Sequence, residues 1–197
     1  MPRINPLQRQ NIPELESVFA ATEKRMGFVP NSQLTMAYKP KLLQAFGQLS
    51  QAVHDPANKT QAQLRTLVGH IASRSAGCQY CAAHTGESAH RANVDDMKIA
   101  AVGEYETSPL FNEGERAALR FAQRAAVVPN AVTDEDFAAL RKHYSDEEIV
   151  ELTAVIAFYG FLNRWNDTLA TELESSPLNF AQCTLSATGW SAGKHSK

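Results

Sequence analysis

This sequence lacks a hydrophobic run long enough to cross a bilayer. Its most apolar stretch, residues 152–162, is well short of the roughly 20 residues that a membrane-spanning helix needs. Residues 1–6 contain no apolar core of the kind found in secretory signals. Both absences predict a cytoplasmic protein that has no membrane partner.

The chain also lacks an excess of charge of either sign. Its 197 residues include 19 Lys and Arg and 21 Asp and Glu, and no long basic or acidic run occurs. Proteins that bind nucleic acid or anionic membranes through their charge present basic clusters. The composition therefore argues against nucleic acid as a partner.

Strand signals are nearly absent, whereas helix signals recur along the whole chain. Residues 13–26 and 40–53 carry apolar side chains at helical spacing. Further apolar stretches follow polar N-cap residues that have an acid or amide three positions later. These capping boxes begin at Thr60, Asn112 and Ser145, with a weaker version at Thr133. The pattern predicts an all-α fold of seven to nine helices.

Cysteine is scarce, but two of the three cysteines stand close together, in the run Gly77-Cys78-Gln79-Tyr80-Cys81-Ala82-Ala83-His84-Thr85. In a reducing cytosol, a Cys-x-x-Cys motif is more often catalytic or metal-binding than a static crosslink. Two thiols at this spacing can close a small disulfide, and a neighbouring imidazole can help to form a thiolate. Cys183 has no obvious partner and is expected to be a small buried apolar residue.

The Cys-x-x-Cys run falls between two predicted helices. A helix over residues 64–76 should end at Gly77, because glycine readily adopts the left-handed conformation of a C-terminal cap. The next helix, over residues 78–91, places Cys78 in its first turn, where the helix dipole favours a thiolate. Cys81 and His84 follow at intervals of three residues, so the imidazole lies nearest Cys81.

Zinc binding is the main alternative to redox chemistry, since Cys78, Cys81 and His84 are all ligand types for zinc. A structural zinc site normally has four ligands, usually with a second pair elsewhere, and this chain offers only single candidates. Four other histidines are interpreted as solvated surface residues, namely His54, His90, His143 and His195. We therefore predict no metal and no other cofactor.

Several segments resemble the AhpD-like superfamily, which includes the alkylhydroperoxidase D and carboxymuconolactone decarboxylase families. They are residues 73–85, the helix before them and Glu147-Glu148-Ile149-Val150-Glu151-Leu152. Residues 27–31 and Lys39-Pro40 resemble the N-terminal extension of its peroxidase-related members. The resemblance implies a helical extension over residues 1–59, an AhpD-like core over 60–176 and a tail over 177–197, in a single compact unit.

The resemblance implies a thiol peroxidase, a peroxiredoxin-type oxidoreductase that works as a homo-oligomer without haem, flavin or metal. In this reading Cys81 attacks the peroxide, Cys78 resolves the sulfenic acid as a disulfide, and His84 belongs to the proton relay. An external thiol or dithiol then reduces the disulfide. The helix dipole by itself favours Cys78 as the thiolate, so the residues alone leave the order of the two thiols open.

The motif departs from alkylhydroperoxidase D at three positions. His84 stands three residues after Cys81, where that family usually has its histidine four residues after the second cysteine. The relay glutamate corresponds to Thr66 here, and the histidine before the second cysteine corresponds to Tyr80. A complete copy of that proton relay is therefore absent.

Two residues are candidates for a substitute relay. His70 lies one helical turn after Thr66, on the stripe that leads towards the cysteines, although a buried helix residue is the simpler interpretation. Glu87 follows His84 by three residues and could orient its ring, although an exposed helix glutamate is the more common outcome.

Two other function classes remain open. A cofactor-free decarboxylase of the carboxymuconolactone type needs no paired thiol, so Cys78 and Cys81 argue against it. A non-catalytic helical oligomer would leave both thiols without a chemical role. Loss of two thiols per chain on peroxide treatment would distinguish redox cycling from both alternatives.

Overall fold

The computed structural model describes residues 1–196, and this part of the chain is helical throughout, without a β-strand. Its ten α-helices are α1 Glu16–Met26, α2 Asn31–Met36, α3 Pro40–Val53, α4 Ala62–Ser75, α5 Gln79–Arg91, α6 Asp96–Ala100, α7 Glu113–Ala126, α8 Asp134–Leu140, α9 Asp146–Leu169 and α10 Ser175–Thr184. The all-α prediction is confirmed. The count exceeds the expected seven to nine because α2 and α6 have only six and five residues, too few for a periodic apolar pattern.

Local capping explains where three of the helices begin. The helices that start after Asn112, Thr133 and Ser145 each begin with a capping box. The N-cap side-chain oxygen accepts a hydrogen bond from the backbone N–H of the third helical residue, and the acidic side chain of that residue accepts one from the N-cap backbone N–H. The prediction of a capping box at Thr60 is wrong. Helix α4 begins after Gln61 instead, because the Thr60 hydroxyl donates to Glu151 Oε2 at 2.7 Å.

Helix α4 lies at the centre of the molecule, packed against α5, α7 and α9. Its apolar residues Leu67, Val68 and Ile71 are buried in the one hydrophobic core. Gly69 lets α4 and α9 approach closely, because a Cβ there would overlap the Tyr159 ring. Among residues 1–196, no helix has both the length and the hydrophobicity required to cross a membrane.

The turn between α4 and α5 places the cysteine motif. Gly77 has a φ of +73°, as the sequence predicts for a left-handed cap, and the Cys78 amide donates back to Ser73 O at 3.2 Å. Helix α5 then starts at Gln79, so Cys78 is its N-cap residue and does not lie in the first turn. The turn directs both cysteines into the core instead of towards solvent.

The segment after α9 returns across the start of α5. Trp190 Nε1 donates to Gln79 O at 3.0 Å, and the Leu173 amide donates to His195 O at 3.0 Å. The N-terminal residues also pack into the common core, where Phe19 is fully buried. The division at residues 59 and 176 stays a prediction.

Cys183 is exposed on α10, so the expectation of a buried apolar residue is wrong. Helix α10 buries Pro177 and Ala181 on its other side. The lone thiol therefore lies on the solvent side of this helix.

Candidate active site

The two motif cysteines lie next to each other in the core. Cys78 is 1% exposed and Cys81 is 2% exposed, and both are free thiols. The Cys81 amide donates to Cys78 Sγ at 3.3 Å, and Asn166 Nδ2 donates to Cys81 Sγ at 3.5 Å. The structure therefore brings the predicted pair together, with an amide side chain from α9 held against the second sulfur.

The two thiols differ in their electrostatic surroundings. Burial raises the pKa of Cys81 well above its ordinary value, and Cys78 raises it further, while the hydrogen bond from Asn166 acts in the opposite direction. Cys78 instead caps the N-terminus of α5, where unpaired amides and the helix dipole favour an anion. Reaction at Cys81 therefore requires a nearby group that accepts its proton.

His84 is held by a buried carboxylate. Its Nε2 lies 2.7 Å from Glu174 Oε2, and Tyr80 Oη donates to Glu174 Oε1 at 2.9 Å. The rings of Tyr80 and His84 stack with their centroids 4.3 Å apart. Burial acts to raise the pKa of Glu174, but the charge and hydrogen bond of His84 and the Asn31 amide outweigh it and lower this pKa. The carboxylate therefore fixes the orientation of the His84 ring.

Neither candidate for a substitute relay forms a hydrogen bond with the His84 ring. His70 Nδ1 lies 3.0 Å from Thr85 Oγ1, and burial lowers the pKa of His70 to about 3. The Glu87 carboxylate pairs with Arg91 at 2.9 Å and accepts a hydrogen bond from Ser176. The carboxylate beside His84 is Glu174, and any relay role of His70 or Glu87 stays a prediction.

Sequence reasoning missed Glu174 and Asn166. Glu174 is 90 residues from His84 and Asn166 is 85 residues from Cys81. Neither belongs to a motif with recognisable spacing. Glu174 occupies the N-cap position of α10, which shows only that a helix starts there. Both contacts depend on how α9 and α10 pack against α5.

Two of the four histidines expected on the surface are not there. His195 is 1% exposed, and His54 is half-buried, with burial lowering its pKa to about 4. His90 and His143 are exposed, as expected. The error arises because His54 packs against aromatic rings of α9, while the return of the tail buries His195.

A small pocket opens beside Cys81. It encloses about 60 Å³, which is room for about two water molecules at liquid density. Polar side chains in its wall come from Arg25, Ser32, Gln33, His54, His84, Ser88 and Asn166. The larger part of its exposed surface is apolar or aromatic, from Met26, Pro30, Phe46, Phe158, Tyr159 and Leu162. Such a pocket suits a small and largely apolar molecule.

A different opening, of about 140 Å³, adjoins Cys78. Arg74, Gln79 and Trp190 line it, together with other residues of the returning tail. Cys81 does not line this opening, and Cys78 does not line the apolar pocket. The two cysteines therefore line separate openings.

The predicted alternative zinc ligands do not form one group. Within residues 1–196, a different trio has donor atoms close enough to suit a metal, since Cys78, Asp167 and His195 lie within 4.8 Å of one another. Asp167 also forms an ion pair with Lys194 at 2.8 Å. A structural zinc site has four ligands, so this trio is one short.

Comparisons with known proteins match most of this chain. Residues 40–124 match the model of the carboxymuconolactone decarboxylase family. A cysteine-to-alanine variant of the debrominase Bmp8, in complex with 2,3,4-tribromopyrrole, is 38% identical with a TM-score of 0.86. That match covers 92% of this chain and 96% of the Bmp8 chain.

Two further relatives are more distant. A peroxidase-related protein from Ralstonia eutropha JMP134, described as an alkylhydroperoxidase AhpD core, is 24% identical with a TM-score of 0.80, covering 91% of this chain and 95% of that one. At this identity the likeness concerns the fold. The uncharacterized protein YnjA of Escherichia coli K12 is 30% identical over 106 residues, which are 54% of this chain and 58% of YnjA. This chain thus covers less than two thirds of YnjA.

Proposed function

Because this chain belongs to the AhpD-like carboxymuconolactone decarboxylase family, we propose that its paired cysteines make it a thiol-dependent reductase. The observation that carries the proposal is that two adjacent cysteines line two different openings. Cys81 faces the apolar pocket and acts as the attacking sulfur. Cys78 faces the second opening and closes the disulfide. Pocket access thus favours Cys81 as the nucleophile, although the helix dipole favours Cys78 as the thiolate.

The substrate class that this pocket favours is a small halogenated aromatic ring. The wall near Cys81 is mostly apolar and aromatic, and a ring of this kind can stack on such side chains. Bmp8, named a debrominase, has a similar chain over nearly its full length and binds 2,3,4-tribromopyrrole.

A peroxide is the second candidate substrate. The Cys-x-x-Cys pair with an imidazole nearby favours peroxide reduction, and solved peroxidase-related proteins share the fold. In that case Cys81 attacks the O–O bond and becomes a sulfenic acid, and the other oxygen leaves as water or an alcohol. Bromide release and peroxide consumption then distinguish the two substrates.

The dehalogenation can be written with balanced atoms and electrons. The Cys81 thiolate attacks the halogen, so an S–Br bond forms and the C–Br bond breaks with its electron pair left on the ring carbon. That carbon takes a proton, for which His84 in the pocket wall is the donor we propose. Cys78 then attacks the Cys81 sulfur, bromide leaves, and the disulfide forms.

A dithiol must complete the cycle, because each turnover converts two thiols into one disulfide. The reductant attacks the disulfide and leaves as the oxidised dithiol, which restores Cys78 and Cys81. The opening of about 140 Å³ beside Cys78 is a route for this attack that leaves the apolar pocket free. A homo-oligomeric assembly, expected from the resemblance, remains a prediction.

The proposal is tested by single turnover without reductant, using 2,3,4-tribromopyrrole in one arm and hydrogen peroxide in the other. Wild-type protein should lose two thiols per chain and release one bromide or consume one peroxide, and dithiothreitol should restore both thiols. Cys81→Ser should abolish both reactions. Cys78→Ser should stop after one event and leave Cys81 modified, as a trapped sulfenic acid in the peroxide arm.

Cys183→Ser is the matched control, because Cys183 is exposed and lies outside both pockets. It should turn over as wild type does. Turnover by Cys81→Ser would contradict the proposal. A sulfenic acid found at Cys78 would reverse the roles of the two thiols, and unchanged thiols with every substrate would favour the decarboxylase or the non-catalytic oligomer.

A further inference from the structure

A buried histidine from the C-terminal tail lies beside Cys78. A ring nitrogen of His195, a carboxylate oxygen of Asp167 and the sulfur of Cys78 are within 4.8 Å of one another. His195 and Cys78 are each 1% exposed. The chemistry at Cys81 and His84 does not use this group. An imidazole this close to a thiol can accept its proton, and a neighbouring carboxylate can stabilise the imidazolium that forms.

Hydrogen bonding fixes which nitrogen of His195 is basic. Its Nδ1 lies 2.8 Å from Thr171 O, and a carbonyl oxygen only accepts, so Nδ1 carries the hydrogen. The lone pair is then on Nε2. Among the described residues this buried atom has no hydrogen-bond partner, and it lies 3.7 Å from Asp167 Oδ1. An unpaired buried acceptor requires an explanation, and proton transfer provides one.

The groups around His195 favour a neutral ring that becomes charged only when it takes a proton. Burial lowers the pKa of His195 and Lys194 lowers it further, while the bond to Thr171 and the charge of Asp167 act in the opposite direction. The net shift is downward. On α5, the Tyr80 ring lies 5.8 Å from the His195 ring. At neutral pH the ring is therefore a base, and Asp167 can stabilise the imidazolium once it forms.

We propose that His195 is the general base for Cys78. The inference rests on the proposed function, in which Cys78 resolves the modified Cys81. The Cys78 thiol gives its proton to His195 Nε2, and its electron pair forms the S–S bond with Cys81. The S–Br or S–O bond of Cys81 breaks at the same time. Bromide leaves with the bonding pair, or hydroxide leaves and takes a proton from solvent.

The direct test needs no substrate. In a Cys81→Ser, Cys183→Ser background, Cys78 is the only thiol, and its alkylation by iodoacetamide is followed by mass spectrometry from about pH 6 to about pH 10. His195→Asn keeps an amide N–H where Nδ1 donates to Thr171 O, but it has no basic nitrogen. It should slow alkylation at pH 7 at least about tenfold, with the difference disappearing at high pH. Rates within about twofold of each other at pH 7 would overturn the proposal.

His143→Gln is the matched control, because this exposed histidine is remote from the cysteines in both pockets. It should leave the alkylation profile unchanged, and a loss there equal to that of His195→Asn would overturn the assignment. Thermal unfolding verifies that His195→Asn keeps the fold. If it does not, His195→Gln supplies a second neutral amide at the same position, with the same expected profile.

A single turnover separates this inference from the proposed function. With all three cysteines present, His195→Asn should modify Cys81 at the wild-type rate but close the disulfide at least about tenfold more slowly. If no substrate reacts with wild type while alkylation still depends on His195, the proposed function fails and the general base remains. If the disulfide closes at the wild-type rate in His195→Asn, the general base fails and the reductase remains.

Discussion

Glu174→Gln should destabilise the protein, because it removes the buried charge that organises the His84 side of the site. The Glu174 carboxylate accepts from Tyr80 Oη, from the Asn31 amide and from His84 Nε2. The side chains of His84 and Glu174 are only 10% and 14% exposed. Glutamine keeps one acceptor oxygen, but its amide presents N–H groups where the second carboxylate oxygen received a donor.

The size of the effect follows from those three contacts. A hydrogen bond to a charged group contributes about 1.5–3 kcal/mol and a neutral one about 0.5–1.5 kcal/mol, so weakening two bonds and losing one costs about 5 kcal/mol. Breaking a buried ion pair gives a similar figure of about 3–5 kcal/mol. For a chain of this length, the melting temperature should fall by about 10–20 °C at pH 7.

The loss should also depend on pH. The pKa of Glu174 in the folded protein is lowered from its ordinary 4.5, so its contribution is fully present above that value. It is lost as the pH falls through the folded pKa, when the wild-type carboxylate is protonated. The free-energy difference between wild type and Glu174→Gln should therefore be constant near neutral pH and shrink below about pH 4.5.

Urea unfolding measured from about pH 7 down to about pH 3.5 tests both statements. Glu147→Gln is the surface control, because its pair with Lys59 is solvent-exposed and should contribute at most about 1 kcal/mol. A difference for Glu174→Gln below about 1 kcal/mol at pH 7 would refute the reasoning from the three contacts. A difference that does not shrink in acid would refute the assignment to the Glu174 charge.

Two further predictions concern catalysis and packing. His84→Ala should slow substrate reduction at neutral pH by at least about tenfold, with a native circular dichroism spectrum. His70→Ala should slow the reaction less, and an unchanged rate in folded His84→Ala would remove His84 from the mechanism. Gly69→Ala should lower the free energy of unfolding by about 1 kcal/mol or more, because the added methyl group would lie 2.8 Å from Tyr159 Cδ2 and force that ring to move. Gly47→Ala in α3 is the control, since a Cβ there would lie at an ordinary 3.6 Å from Val18 Cγ1. The higher helix propensity of alanine should stabilise this variant by up to about 1 kcal/mol. Equal melting temperatures for the two variants would contradict the packing argument.

The sequence by itself determined the features that depend on neighbours along the chain. Capping boxes after Asn112 and Ser145 located two helix starts, because an N-cap and its partner are three residues apart. The turn at Gly77 and the spacing of Cys78 and Cys81 were readable for the same reason, since one left-handed residue and one helical turn set their geometry.

Only the tertiary structure decided what surrounds the two thiols. Glu174 reaches His84 across 90 residues, and the tail carries His195 back to Cys78. A lone acid or histidine has no periodicity to mark it, and its hydrogen-bond partner is set by which helices pack together. The same packing overrode the local signal at Thr60, whose hydroxyl donates to the charged Glu151 carboxylate instead of accepting a backbone amide hydrogen as an N-cap does.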